Sequence, residues 1–466
     1  MRAAGQGRLF GGAATLDFRK PASGAGEATI NVTLDDQARA RQGWSMSGVS
    51  GVVTARITSP LPAERGRAQA EFDLTKAALD GVLPGVVKPA GRAAKVAMAI
   101  TSGEQSTLLD QIVVDAGSIQ ARGSAELGAD NTVNWAKFPQ LRVSPGDDMH
   151  VEAQKGEDGL KLTVRGTVID ARPFLKYVTQ TGEGAHEGNP PDFELDLKTA
   201  LLTGNNKQAI SNVELRLMRH SGTVRQFALA GKFGREALTG SIGRAEAGPP
   251  RINVATTDAG SLIGFLDLYK RMEGGTLNAQ MLVGDSRVDG VIGIRDFMLR
   301  DEPAVRRLVT EGAFRGSGKE ATFDPTLVTF DRLQFMFSRA GSRLELRDGT
   351  MSGQQIGLTV DGWMDFVSDK VSLSGTFVPA FTVNNFFSKI PVFGLFMGGS
   401  NEGLFGVNYG ITGSMASPTL NVNPLSAIAP GFLRKIFGTN EGYAAERPLP
   451  GAALPGYQKP AFSPER

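Results

Sequence analysis

The sequence predicts a mainly β protein: an elongated, curled, largely antiparallel sheet with an apolar inner face and a few short helices, two of them near the C-terminus. Three observations carry this. Six runs alternate apolar and small or polar residues and end on glycine. They are Ile119-Ala121-Gly123, Leu160-Leu162-Val164-Gly166, Phe227-Leu229-Gly231, Leu358-Val360-Gly362, Val371-Leu373-Gly375 and Val407-Tyr409-Ile411-Gly413. A period of two is that of a strand, whose successive side chains point to opposite faces. The interleaved positions include Arg122, Lys161, Thr163, Thr359, Asp361, Ser372 and Asn408, so each strand has one greasy and one wet face. Glycine makes up 59 of 466 residues, well above the average share of about 7%. A glycine closing an apolar run is where a sheet curls or another backbone comes close. Finally, segments with helical spacing are few and short.

Taken in chain order, Ala28-Ile30-Val32-Leu34 already alternates as a strand, and the chain reads as the C-terminal part of a longer protein. Helices are expected over 75–83, 173–179, 261–272, 303–311, 383–396 and 426–437. Their starts are marked by Thr75, by Asp258 or Ser261, by Pro303 after Asp301 and Glu302, and by Ser426, which suit caps or a first helical turn. Residues 181–192 and 245–250 are linker-like. The tail from 439 carries five prolines in its last 19 residues and reads as disordered. The expected organisation is a β segment over 1–70, a β-repeat segment with short helices over 71–192, a C-terminal region over 193–438 and the tail over 439–466.

Charge and composition exclude several classes. Fifty Lys and Arg stand against 48 Asp and Glu, mixed along the chain. The basic stripe with aromatics that marks nucleic-acid binders is missing. Without cysteine there is no disulfide framework and no thiolate metal site. The chain carries no apolar run of signal-peptide length at its start, and its greasiest stretch, 390–397, falls short of the ~20 residues a span needs.

No enzyme is expected and no cofactor is implied. His150, His186 and His220 are scattered. Gly316-Ser317-Gly318-Lys319 fails as a phosphate loop, because Ala313 replaces the required glycine and Glu320 the Ser or Thr. Residues 285–296 have the length of a calcium loop, but Arg287 takes a ligand position and Val288, Ile292 and Ile294 alternate as a strand. Asp147-Asp148 near His150 reads as a charged turn after Pro145-Gly146. No Gly-x-Ser-x-Gly elbow occurs.

The segment 383–397 is the most unusual, with four phenylalanines and a single charge. It reads either as a core helix plugging the sheet's end or as a wedge on a membrane or partner. Phe386, Phe387, Ile390, Phe393, Leu395 and Phe396 are the membrane-contact candidates. Residues 426–437 are amphipathic, with Ile428, Phe432, Leu433, Ile436 and Phe437 opposing Arg434 and Lys435.

On the stretch "IPVFGLFMGGSNEGLFGVNYGITGSMASPTLNVNPLSAIAPGFLRKIFG" (390–438) and on 72–91, 141–175, 256–281 and 294–305, the chain resembles the AsmA-like family of bacterial envelope proteins, relatives of YhdP and TamB. The resemblance implies a folded-over β groove that passes phospholipid across the periplasm between inner and outer membranes. It also implies an inner-membrane anchor upstream, which this sequence lacks. One-faced strands alone suit either a closed sandwich or an open groove. The resemblance favours the groove, lined by Val164, Phe227, Leu229, Leu358, Val360, Leu373 and Ile411. The alternative function is an envelope scaffold or outer-membrane assembly factor acting through protein contacts. A hydrolase would need a clustered polar pocket that the sequence does not offer.

Overall fold

The structure is a computed structural model that describes residues 1–41, 48–61, 67–82, 86–157, 159–175, 192–221, 223–243, 250–284, 287–307, 326–353, 356–379 and 404–428. Among the described residues the fold is mainly β, 72% strand with few short helices, and its antiparallel ladders are not closed into a barrel. Two compact units part between Ser221 and Gly222, inside the segment 193–438 that the sequence reading keeps whole.

The first unit begins with β1 (Arg2–Leu9), β2 (Gly12–Arg19), β3 (Gly26–Leu34), β4 (Val49–Gly51), β5 (Val53–Leu61) and β6 (Arg67–Asp73). It continues with β7 (Ala77–Asp80), β8 (Val87–Lys88), β9 (Lys95–Ser102), β10 (Ser106–Ala116), β11 (Ile119–Gly128) and β12 (Val133–Arg142). β13 (Met149–Gly156), β14 (Gly159–Asp170), β15 (Phe193–Thr203) and β16 (Ala209–His220) complete it. β4, β7 and β8 form a small separate sheet. The others pair each with the next, β3 joining β5 and β6 joining β9. Among these ladders β14 with β15 is parallel and the rest are antiparallel.

Residues opposite one another in a ladder share a face. Val32, Ala55, Phe72, Val96, Val114, Ala121, Leu141 and Met149 stand opposite one another, strand to strand, from β3 to β13. That row is the physical content of the alternation. Bulges interrupt the β9–β10, β10–β11, β11–β12 and β12–β13 ladders, and each bulge adds local bend and twist.

Buried polar groups pin the connections. The Arg39 guanidinium, on the Asp36–Arg41 helix, donates to the carbonyls of Leu34, Val49 and Gly51 at 3.3, 3.2 and 2.6 Å. Asp147 is 2% exposed and accepts from the backbone N–H of Val143, Ser144 and Asp170 at 3.0, 2.7 and 2.8 Å. It organises the turn after Pro145-Gly146.

The helix expected over 75–83 is corrected: Thr75 and Lys76 form a turn and Ala77–Asp80 is β7. The Asp73 carboxylate takes the Thr75 N–H at 2.8 Å, and Lys88 Nζ donates to the Ala77 carbonyl at 2.7 Å. Neighbouring strands supply the partners a helix would have supplied, and so short an apolar run does not distinguish the two. Of the helix expected over 173–179, residues 173–175 are helical, in a turn that begins at Arg172, and the remainder lies outside the described residues.

The second unit holds β17 (Thr223–Phe233), β18 (Glu236–Gly243), β19 (Arg251–Thr256), β20 (Met272–Val283), β21 (Arg287–Arg300) and β22 (Leu327–Ala340). β23 (Arg343–Ser352), β24 (Ile356–Asp365), β25 (Lys370–Pro379), β26 (Leu404–Ser414) and β27 (Ser417–Ile428) follow. Each pairs antiparallel with the next. The Ala259–Phe265 helix is capped by Asp258, whose carboxylate accepts from Ser261 N at 3.0 Å. It ends before the expected 272, because Asp267 turns into the left-handed region (φ 58) and Met272 opens β20. The Pro303–Arg307 helix starts at its proline. Ser426 does not cap a helix: Ser426, Ala427 and Ile428 pair with Gly406, Phe405 and Leu404 as the end of β27. The rest of 426–437, the helix over 383–396 and the linkers other than Asp192 and Pro250 lie outside the described residues.

Candidate functional site

The ladders of the second unit place an apolar surface on one face. Ile242, Ile252, Met281, Gly290, Phe337, Leu346, Gly362, Leu373, Ile411 and Leu420 stand opposite one another in a row from β18 to β27. Four residues along, Leu238, Thr256, Leu277, Ile294, Leu333, Met351, Leu358 and Phe377 form a second row from β18 to β25. Between them lie Leu229, Gly240, Val254, Ala279, Ile292 and Phe335, then Gly349 with Val360, and Gly375, Tyr409 and Val422. Adjacent rows are about 7 Å apart, two residues of strand rise.

The opposite face is mostly polar, interrupted by a small cluster in which Leu282 and Val291 are buried against Met336. Thr239, Ala255, Asn278, Gly293, Gln334, Thr350 and Thr359 make one of its rows. Thr376 Oγ1 and Asn408 Oδ1 hydrogen-bond across it at 2.9 Å, and the Arg343 guanidinium stacks on the Trp363 ring at 4.2 Å.

Six of the seven predicted groove residues share the apolar face. Leu373 and Ile411 are in the first row, Leu358 in the second, and Leu229 and Val360 between them. Phe227 joins them: a Cβ at Gly240 would meet its Cε1 at 2.6 Å. Leu358 is buried and the other five are partly buried. Val164 belongs to the first unit, where it stands between Val151 and Leu197 and packs against the Val86, Val143, Met149 and Ile169 cluster. The polar face of that strand set is laced by Lys161–Glu194, Arg165–Asp196 and Lys198–Glu214 pairs at 3.5, 3.0 and 3.2 Å. A pocket of about 780 Å³ on that side, lined by Trp135, Lys137, Glu152, Gln154, Lys161 and Thr163, is separate from the apolar rows.

Two local devices keep the rows continuous. Phe337 fills the space that Gly290 leaves, its Cε1 2.5 Å from where a Cβ would stand. Tyr409 reaches across the strand between to donate from its hydroxyl to the Thr359 carbonyl at 2.6 Å. Gly375 lies under that side chain, and a Cβ there would sit 1.8 Å from the Thr359 oxygen and 2.7 Å from the Tyr409 hydroxyl. Burial, then the charge of Asp361, pushes the Tyr409 phenol well above its usual pKa, so it stays a donor.

One end of the face is covered. Ala259 and Val305, from the two helices, are buried in the cluster with Leu277, Ile294, Phe297, Phe330, Leu358 and Phe377, and Leu262 and Ile263 pack against it. Sequence reasoning missed most of this lining, including Phe337, Leu346, Phe377 and Leu420. Alternation was visible in 277–283 and 333–337, but which strand stands beside which, and in what register, was not.

The six membrane-contact candidates, Phe386, Phe387, Ile390, Phe393, Leu395 and Phe396, lie outside the described residues. Among the described residues no three His, Cys, Asp or Glu are grouped to hold a metal ion, and no helix is long and apolar enough to cross a membrane. No family model, curated protein or solved structure matches the chain.

Proposed function

We propose that this protein carries phospholipid acyl chains on its apolar sheet faces, as a non-enzymatic conduit between the inner and outer membranes of a bacterial envelope. One observation carries the reading: an apolar row runs perpendicular to the strands from β18 to β27, flanked by further largely apolar rows, while the reverse is mostly polar. A lipid passed along such a surface exchanges one apolar contact for the next and never crosses a charge, whose desolvation is costly. The partly buried Leu346, Leu373 and Ile411 have apolar area left to cover, at roughly 25 cal/mol per Å². The two membranes enter through the resemblance of 390–438 and the other quoted stretches to AsmA-like proteins.

The test is site-specific photo-crosslinking in cells. Probes at Phe227, Leu229, Leu373 and Ile411 should capture phospholipid, while probes at Asn278, Thr350 and Asn408 should not. Equal capture from both faces, or capture of a protein alone at the apolar sites, overturns the conduit and favours a scaffold acting through protein contacts.

A further inference from the structure

The polar face of the first unit holds a recess floored by two rows of the β12, β13 and β14 ladders. Trp135, Gln154 and Lys161 stand opposite one another in the first row, and Lys137, Glu152 and Thr163 in the second. With strands about 4.8 Å apart and the rows two residues apart, these positions cover roughly 10 by 7 Å. The recess has a volume of about 780 Å³, within the ~300–1,000 Å³ of small-molecule sites.

Trp135 supplies its aromatic wall. The indole Nε1–H donates to one oxygen of Glu126 at 3.3 Å, and Asn134 Nδ2 donates to the other at 3.1 Å. The carboxylate thus holds the indole by its polar edge, and what Trp135 offers a ligand is the carbon surface of the ring. The rest of the lining mixes donors and acceptors. Lys137 only donates, the ionised Glu152 only accepts, and the Gln154 amide and Thr163 hydroxyl do both.

The lysines do not mark an anion site, because each has an acid at hand. Lys161 pairs with Glu194 at 3.5 Å, and Lys137 stands opposite Glu152. Lys155 donates at 3.2 Å to the Thr132 hydroxyl, which itself donates to Asp130 at 2.6 Å. An acyl chain is no better suited, since it would desolvate those charges without pairing them. A sugar ring matches both halves of the lining. Its C–H bonds make an apolar face for the indole. Each hydroxyl on its rim donates and accepts at once, so one placed between Lys137 and Glu152 can bond to both.

We propose that this recess binds a neutral saccharide, with one pyranose ring stacked on Trp135 and its hydroxyls on Lys137, Glu152, Gln154 and Thr163. The site is independent of the conduit reading. Val151 and Val164, on the apolar face, belong to the reverse of the same strands, so sugar and lipid would not compete.

The experiment titrates the purified full-length chain with cellotetraose, chitotetraose and maltotetraose by isothermal calorimetry, with dextran sulfate as the charged comparison. At least one of the neutral sugars should bind with a millimolar or lower Kd. Trp135→Ala should weaken that binding about tenfold, the order of one aromatic contact. Gln154→Ala should weaken it about fivefold, the order of one hydrogen bond, while Asn278→Ala on the second unit should leave it unchanged. Gln154 and Glu152 are exposed, so Gln154→Ala and Glu152→Gln decide the matter if Trp135→Ala does not fold. Binding of none of the three sugars at millimolar concentration, binding of dextran sulfate alone, or unchanged affinity in the folded variants overturns the site.

Discussion

Replacing Gly375 with alanine tests the packing that keeps the apolar rows continuous. The new methyl would sit 1.8 Å from the Thr359 carbonyl oxygen, where contacts below 3.0 Å are essentially never found. Strand or carbonyl must therefore give way by about 1.2 Å, an overpacking strain of about 1–3 kcal/mol. The same methyl comes within 2.7 Å of the Tyr409 hydroxyl and displaces its hydrogen bond, and a buried hydroxyl without a partner costs about 1–3 kcal/mol more. The expected loss is about 4 kcal/mol, read as a fall of 1 M or more in the urea midpoint. Tryptophan fluorescence is a suitable probe, since Trp363 shares β24 with Thr359. Tyr409→Phe alone should cost about 1–2 kcal/mol, and much less when Gly375 is already alanine, because the bond it removes is gone. A Gly375→Ala protein that unfolds like the wild type, or a cycle in which the two substitutions add, refutes the account.

Other positions give sharper local tests. Asp147→Ala leaves three buried backbone N–H groups without their acceptor and should cost about 3 kcal/mol or more by chemical denaturation; a loss below 1 kcal/mol would mean that water replaces the carboxylate. Burial pushes the Asp170 carboxyl up, but hydrogen bonds from the Arg172 side chain and backbone outweigh it, and the group lies below the usual carboxylate range. A depressed folded pKa stabilises above the unfolded value of about 3.9 and loses that contribution as pH falls through the folded value. The stability gap between wild type and Asp170→Asn should therefore be largest near neutrality and shrink below about pH 4; a gap independent of pH contradicts the linkage. Asp258→Ala removes the cap of the Ala259–Phe265 helix and should cost about 1 kcal/mol, with Asp258→Asn largely restoring it.

The fold class was legible because alternation is local. Leu358-Val360-Gly362 shows its apolar face in five residues. What alternation cannot show is where it slips. Ile294 and Phe297 are each 1% exposed, three apart rather than two, because Asp296 adopts a left-handed conformation (φ 55) between them and turns the rest of β21 over. Short runs such as 77–80 suit helix or strand until their neighbours are known. Glycines were the better guide, since those closing the runs at 362 and 375 do admit a neighbouring backbone, the Ser372 and Thr359 oxygens standing 2.2 and 1.8 Å from where a Cβ would be.

The parallel joint between β14 and β15 has a kinetic consequence. Most antiparallel ladders join strands through short turns and form locally, like links added one at a time to a chain, whereas β6 with β9, β21 with β22 and β25 with β26 close longer loops. Pairing β14 with β15 instead requires residues 171–192 to return the chain to the starting end of β14 before the first bond can form. Topology sets folding speed through such separations. β9 to β14 and β15 with β16 should each assemble rapidly as hairpin arrays, then wait on one slow docking event. Shortening or stiffening that return segment would change the folding rate while leaving every ladder in the finished sheet as it is.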